Sequence, residues 1–424
     1  MTTNLTRLWW PLILGVATFL VVPDPCVRAQ EILPDSLSAG MDSVRSDLSE
    51  KEFEEELAKE LYGKADTTID QEAAPTQLQG SPSSLGGILN PRISAIGVFM
   101  GSLTEKGAAS NVYDAGLSEA ELAFQAYVDP YSKADFFVAF HRENQDPFFG
   151  PEIEAGSESG YHPELEEAYL TLLTLPYGLQ VKAGQFRLAF GRINTFHLHA
   201  LNYVDYPRMY VNFLGGEGLA DRGVGVSWLI PNPFDFYQEL NLGLTSGRVE
   251  SPSFGGGTNS VMFSAHLKNF FDLSDNSTLE VGFSALHASN DPQNHKTLVG
   301  AVDVTYKWKP LEKNLYESFE WTTEALLSNR NSPVKSVTSA GWYSFLRYQL
   351  SRRWFVAARY DYSEFPDDDA RNEQAYSLIA NFFATEFQKL EVQLQHGVPS
   401  GWKEFNRVLL RVVFVIGAHG AHNY

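Results

Sequence analysis

An all-β fold is expected from this 424-residue sequence: an antiparallel, up-and-down transmembrane β-barrel of about sixteen strands with a short N-terminal helical extension. Three observations carry the expectation. From Arg92 onward, apolar and polar residues alternate with period two over runs of nine or more residues. That is the length and pattern of a strand crossing a bilayer at a tilt, with lipid on one face and water on the other. Short and long links alternate between these runs. After the first thirty residues no stretch is apolar for long enough to cross as a helix.

The alternation is plainest at Leu298–Trp308. Leu298, Gly300, Val302, Val304, Tyr306 and Trp308 fall on one face, and Val299, Ala301, Asp303, Thr305 and Lys307 on the other. Ala120, Leu122, Phe124, Ala126 and Val128 likewise oppose Glu121, Ala123, Gln125 and Tyr127. In the last run Val408, Leu410, Val412, Phe414 and Ile416 oppose Arg407, Leu409, Arg411, Val413 and Val415. Such segments begin near Arg92, Leu117, Ala134, Glu164, Leu179, Asp221, Tyr237, Ser260, Thr278, Lys296, Glu317, Ala340, Trp354, Glu373, Phe387 and Asn406. An even count suits a single-chain barrel.

The links 129–132, 176–178, 351–353 and 384–386 are short, and 143–162, 247–259 and 364–372 are longer. Short periplasmic turns and long outer loops give this layout. The longest link, Arg187 to Ala220, is too long for a passive turn. In general porins the third outer loop folds into the lumen, and the same is expected here by analogy.

The N-terminus reads as a signal peptide over residues 1–29. Arg7 supplies the basic region, Leu8–Val22 the apolar core and Val27-Arg28-Ala29 a cleavage site. The single cysteine, Cys26, precedes that site, and Pro25 before it argues against lipidation, so the mature chain holds no thiol. Residues 30–90 are expected to form a periplasmic segment. Phe53, Leu57 and Leu61 make one helical stripe beside Glu54, Glu55 and Glu56, read as a solvated helix rather than a coiled coil, and residues 63–90 have a linker's composition. The barrel then occupies 91–424.

Charge excludes one class of partner. The chain carries −20, with no basic stripe to meet a phosphate backbone, so nucleic-acid binding is not expected. Residues 31–80 hold 4 basic and 13 acidic side chains and residues 1–30 a net +1, which leaves −12 on residues 81–424. The aromatic content, 13%, is high, and a barrel can display those rings to lipid. Trp228, Trp308, Trp354, Tyr362 and Trp402 near strand ends suit interfacial girdles.

The run Gly184-Gln185-Phe186-Arg187-Leu188-Ala189-Phe190-Gly191-Arg192 resembles a signature of the phosphate-selective porin family, the porin O and P group. Tyr206-Pro207-Arg208-Met209-Tyr210, Glu217 and Asp221-Arg222-Gly223-Val224-Gly225 extend the match, and Ala189 stands where that family usually has proline. The resemblance implies a sixteen-stranded, usually trimeric outer-membrane barrel of a Gram-negative-type bacterium, in contact with lipid and lipopolysaccharide. Phosphate specificity is not carried over. It requires a dense ladder of fixed positive charge, whereas Lys182, Lys307, Arg347, Arg359 and Arg411 are interspersed with Glu121, Asp303, Glu320, Glu324, Asp361 and Glu391. A mixed lining with cations favoured is expected.

Arg187, Arg192, Arg208 and Arg222 cluster in sequence around the long loop, near Glu217 and Asp221. They are read either as a charged constriction or as pins holding the loop to the wall through carboxylate pairs. His197-x-His199 offers two imidazoles, but no third ligand is identifiable from the sequence, so these read as loop histidines, as do His419 and His422. Asp367-Asp368-Asp369 reads as solvated outer loop. There is no Gly-x-Ser-x-Gly elbow, His-Glu-x-x-His or phosphate loop, so no catalysis and no cofactor are expected. The function read from the sequence is passive diffusion of small hydrophilic solutes or ions through a lumen narrowed near 187–220. The alternatives are a plugged barrel that binds or adheres, and a rim hydrolase.

Overall fold

The computed structural model describes residues 91–105, 113–142, 160–234, 236–249, 251–255 and 260–417. The expected leader, helical stripe and linker lie outside the described residues, as do His419 and His422.

The described residues form sixteen strands: β1 (Arg92–Thr104), β2 (Tyr113–Asp129), β3 (Ser132–Arg142), β4 (Tyr161–Leu175), β5 (Leu179–Arg187), β6 (Ala220–Leu229), β7 (Tyr237–Thr245) and β8 (Met262–Ser274), then β9 (Ser277–Ser289), β10 (Lys296–Trp308), β11 (Phe319–Asn331), β12 (Ser336–Gln349), β13 (Trp354–Phe365), β14 (Asp368–Thr385), β15 (Gln388–Val398) and β16 (Phe405–Gly417). Each pairs antiparallel with its sequence neighbours, and β1 pairs with β16 from Ser94↔Gly417 to Thr104↔Arg407, closing the barrel. Closure leaves no sheet edge. In hydrocarbon each unpaired backbone group would cost several kcal/mol.

The period-two pattern sets the faces. In β10, Leu298 and Val302 are exposed while Thr297, Val299, Ala301, Asp303 and Thr305 are buried in the lumen. Leu122, Phe263, Phe283, Leu327 and Leu378 join Leu298 on the outside, between 37% and 63% exposed. In water each would forgo much of the roughly 1.5–3 kcal/mol that burying a large apolar side chain provides. A belt of this kind is made for lipid, and a closed barrel that carries it is an outer-membrane protein. Trp228, Tyr237, Trp308 and Trp354 lie close to the short-turn ends of their strands, as an interfacial girdle requires.

Link lengths depart from the expected alternation in several places, most clearly in two. Only residues 366–367 join β13 to β14, because the pairing continues to Glu364↔Asn372 and, past a bulge, Phe365↔Asp368. Residues 364–372 are therefore mostly strand rather than a long link. On the short-turn side, residues 309–318 make a longer link holding a 3-10 turn, Leu311–Lys313.

Residues 188–219 fold into the lumen. They contain a 3-10 turn, Leu198–Ala200, and one short helix, α1 (Arg208–Phe213). Leu188, Phe190, Met209 and Phe213 of the loop are fully buried and pack with inward-facing Met262, Leu286 and Val299 of the wall. The lumen therefore has an apolar core, which an alternating wall pattern alone does not disclose. Gly341 of β12 lets α1 approach: a Cβ there would lie 2.7 Å from that of Met209.

Candidate functional site: the inserted loop and the lumen

A cross-brace closes the neck of the loop. The Asn194 side-chain amide donates to the carbonyls of Leu188 (2.8 Å) and Leu219 (3.0 Å), and its oxygen accepts from the Leu219 N–H (2.8 Å). Gly191, at φ +57°, sits where any side chain would meet the Glu324 carboxylate and the Tyr210 hydroxyl. Its N–H donates to Ser284 Oγ on β9 at 2.8 Å.

Beyond the neck, the loop is tied to the wall on several sides. Arg411 (β16) donates to the carbonyls of Leu198 and Leu201 at 2.7 Å each, and Lys389 (β15) donates to those of His199 and Leu201 at 3.1 and 2.6 Å. Arg359 (β13) grips Asp205 through its carbonyl (2.7 Å) and its carboxylate (2.8 Å). Asp205 also accepts from Gln393, Gln395 and Arg407. Burial would push the Asp205 carboxyl pKa up, but Arg359 and Arg407 outweigh it and hold the pKa well below the ordinary value. In α1, Arg208 pairs with Glu373 at 2.8 Å and Tyr210 donates to Glu324 at 2.6 Å.

Toward β2 and β4 the contacts are histidine to glutamate. His197 Nδ1 lies 3.0 Å from Glu121 and 2.8 Å from Glu166, and its Nε2 lies 3.1 Å from Glu167. His199 Nδ1 lies 3.1 Å from Glu119. A bulge places these carboxylates. Phe137 faces Glu167 while Val138 faces Leu165, so Glu166 is the extra residue and both glutamates turn inward. Burial opposes protonation of His197, but Glu166, Glu121 and Glu167 outweigh it and raise its pKa well above the ordinary imidazole value.

The sequence-selected residues therefore separate into groups. Arg187 pairs with Glu166 at 3.4 Å and donates to the Glu217 carbonyl, while the Glu217 side chain is half-exposed. Arg187, Arg208, Arg359 and Arg411 are buried in loop anchoring, with Glu324, Asp361 and Glu391 as partners within the same packing. Asp221 accepts from Ser246 Oγ and the Gly247 N–H, both at 2.6 Å, fixing the start of the β7–β8 link instead of facing an arginine. Arg222 points outward and is exposed, because neighbours on a strand face opposite sides, so it is not in the lumen cluster. Lys182 lies over the Tyr169 ring at 4.1 Å, and Asp303 is fully buried.

The remaining residues border open space. A cavity of about 480 Å³ is lined by Arg192, Tyr237, Lys268, Phe270, Thr278, Glu280, Thr305 and Lys307. Glu280 stands between Lys268 (3.1 Å) and Arg192 (3.6 Å), and Glu320 between Arg347 (3.8 Å) and Lys307 (3.9 Å). These charges keep partial contact with water. Sequence inspection singled out Arg192, Lys307, Glu320 and Arg347 but missed Lys268 and Glu280, whose place in the β8 and β9 alternation was the available signal.

No family model matches the chain. An uncharacterized protein of Aquifex aeolicus is 29% identical over 365 residues, which cover 76% of this chain and 72% of that protein. Among solved structures, OprB of Pseudomonas putida aligns with a TM-score of 0.53 at 11% identity, covering 78% of this chain and 95% of that one. The outer-membrane channel DcaP of Acinetobacter baumannii aligns with a TM-score of 0.51 at 12% identity, covering 77% and 97%. At such identities the likeness is one of fold, that of a closed antiparallel barrel, which in this chain has sixteen strands.

Proposed function

We propose that the protein is an outer-membrane diffusion channel for small hydrophilic solutes or ions, narrowed by residues 188–219 to a charged passage along β8–β12. One observation carries this reading. The loop is anchored to the walls around β2–β4 and β13–β16 and packs on the long-loop halves of β8–β12, while toward the short-turn ends of β8–β12 the charged lumen surface of Arg192, Lys268, Lys307, Glu320 and Arg347 around Glu280 keeps partial contact with water beside a cavity of about 480 Å³. A polar path with low-dielectric walls sorts solutes by size and charge without binding them tightly.

The placement of charge changes the expected selectivity. The −12 of residues 81–424 suggested cations, but many of the lumen carboxylates are engaged in holding the loop. At the passage, four cations meet three carboxylates: Glu280, Glu320 and Glu239, which lies opposite Lys268 in the β7–β8 register. That balance supports weak anion preference rather than a phosphate-specific ladder. A homotrimer in lipid and lipopolysaccharide belongs to this reading on the family resemblance, and the mass of the detergent-solubilised protein tests it.

A second reading has its own observation. Around the loop, residues such as Glu121, Asp303, Tyr343, Asp361, Glu391 and Arg411 have essentially no water contact. A barrel closed by its loop would serve binding rather than diffusion. Swelling of liposomes in sugars of graded size separates the two. The channel reading expects uptake that falls steeply with solute size, and the closed reading expects none for any sugar.

A further inference from the structure

We propose that His197 Nδ1, Glu121 and Glu166 bind one divalent transition-metal ion of the zinc, cobalt or manganese class, which latches the inserted loop to β2 and β4. The three donors converge from three separate segments, and their ligand atoms lie within 4.8 Å of one another. All three side chains are more than nine-tenths buried.

The contacts are close but are not hydrogen bonds. Neither oxygen of Glu121, nor Glu166 Oε2, nor His197 Nδ1 has a hydrogen-bond partner, although Nδ1 approaches the two carboxylates at 3.0 and 2.8 Å. Donors sharing a metal at about 2.0–2.2 Å stand roughly 3 Å apart, so a spread of a few tenths of an ångström admits an ion. The other ring nitrogen is already committed, because His197 Nε2 meets Glu167 Oε1 at 3.1 Å. A carboxylate on the remote nitrogen fixes the tautomer and turns the opposite lone pair toward the metal. Two carboxylates facing Nδ1 repel the lone pair of a neutral imidazole, and either a proton on Nδ1 or a metal ion held between the three groups relieves that repulsion, so the metal competes with a proton for the same position.

Charge and access favour the same occupant. Glu119, Glu121, Glu166 and Glu167 bring four carboxylates into one buried region, with the guanidinium of Arg187 3.4 Å from Glu166. A buried excess of negative charge calls for a cation. Imidazole with carboxylate oxygens suits borderline divalent ions better than calcium or magnesium. A second convergent set, His141, Glu166 and Glu217, shares Glu166 and leads to the half-exposed Glu217, providing an entry path.

The test is a titration of the folded full-length protein in detergent, stripped by chelator, with Co(II) alone. The expected result is one saturable equivalent with visible absorption bands. In His197→Gln and Glu121→Gln the affinity should fall at least about 100-fold, and in Glu167→Gln by about 10–100-fold. No saturable equivalent in the wild type, or unchanged affinity in His197→Gln and Glu121→Gln, overturns the proposal. If those variants do not fold, X-ray absorption of the zinc-loaded wild type decides. An imidazole nitrogen among oxygen ligands supports the site, and a shell without imidazole overturns it. Binding is read without conductance, so failure of the latch and failure of the channel remain distinguishable.

Discussion

At the residue scale, the anchors differ in what their loss would do. Arg208 and Glu373 are both buried, and removing one partner of a buried pair strands the other charge. Arg208→Ala should therefore destabilise the packed loop by about 3–5 kcal/mol. Hydrogen exchange across residues 204–214 should speed up while the strands stay protected; unchanged exchange would mean that the pair holds nothing. Asp205 predicts a pH response. Its folded-state pKa lies below the ordinary value, so its contribution is full above that value and is lost only as pH falls through the depressed one. The loop should stay docked at mildly acidic pH, and Asp205→Asn should release it at neutral pH, read by the same exchange. At the passage, Glu280→Gln removes the carboxylate that lies between Arg192 and Lys268 and should move the reversal potential toward anions.

Parity was the legible part of the site. Lys307 and Asp303 alternate inward with their neighbours, so sequence alone placed them in the lumen. Arg222 was grouped with Asp221 by adjacency, but adjacent strand residues face opposite sides. The histidine ligands were not legible for a different reason. Glu119, Glu121 and Glu166 lie 31 to 80 positions from the histidines they meet, and the bulge that turns Glu166 inward breaks the alternation that would have been used to place it. Pairs such as Asp205 with Arg407 span 202 positions and carry no local signal.

At the scale of elements, the strands follow from the period-two pattern, and each of the sixteen expected starts falls within a few residues of an observed one. The loop follows different rules. Its helix is short and meets the wall where Gly341 leaves room for Met209. Gly341→Leu should force α1 away from β12 and widen the lumen, giving larger conductance in a barrel with an unchanged far-UV spectrum. If conductance does not change, the helix does not narrow the path. The hairpin of β13 and β14 shows the limit of composition as a guide. Asp367-Asp368-Asp369 reads as loop, yet pairing resumes at Asp368 and continues across the sheet.

For the barrel as a whole, three layers account for the architecture: a lipid-facing apolar belt, a closed sheet, and a lumen shared by a packed loop and a charged cavity. The first two are properties of the wall and could be read along the chain. The third depends on which wall charges meet the loop, which is fixed only once the barrel closes. Diffusion requires that a water-filled path survive beside the loop. Single-channel recording in a planar bilayer under a salt gradient tests it most directly, comparing the wild type with a variant whose residues 190–216 are replaced by a short glycine-serine link. Discrete wild-type steps with weak anion preference are expected, with steps several-fold larger in the shortened variant. Folded, inserted wild-type protein that gives no steps, while the shortened variant conducts, would contradict diffusion and show a barrel closed by its own loop.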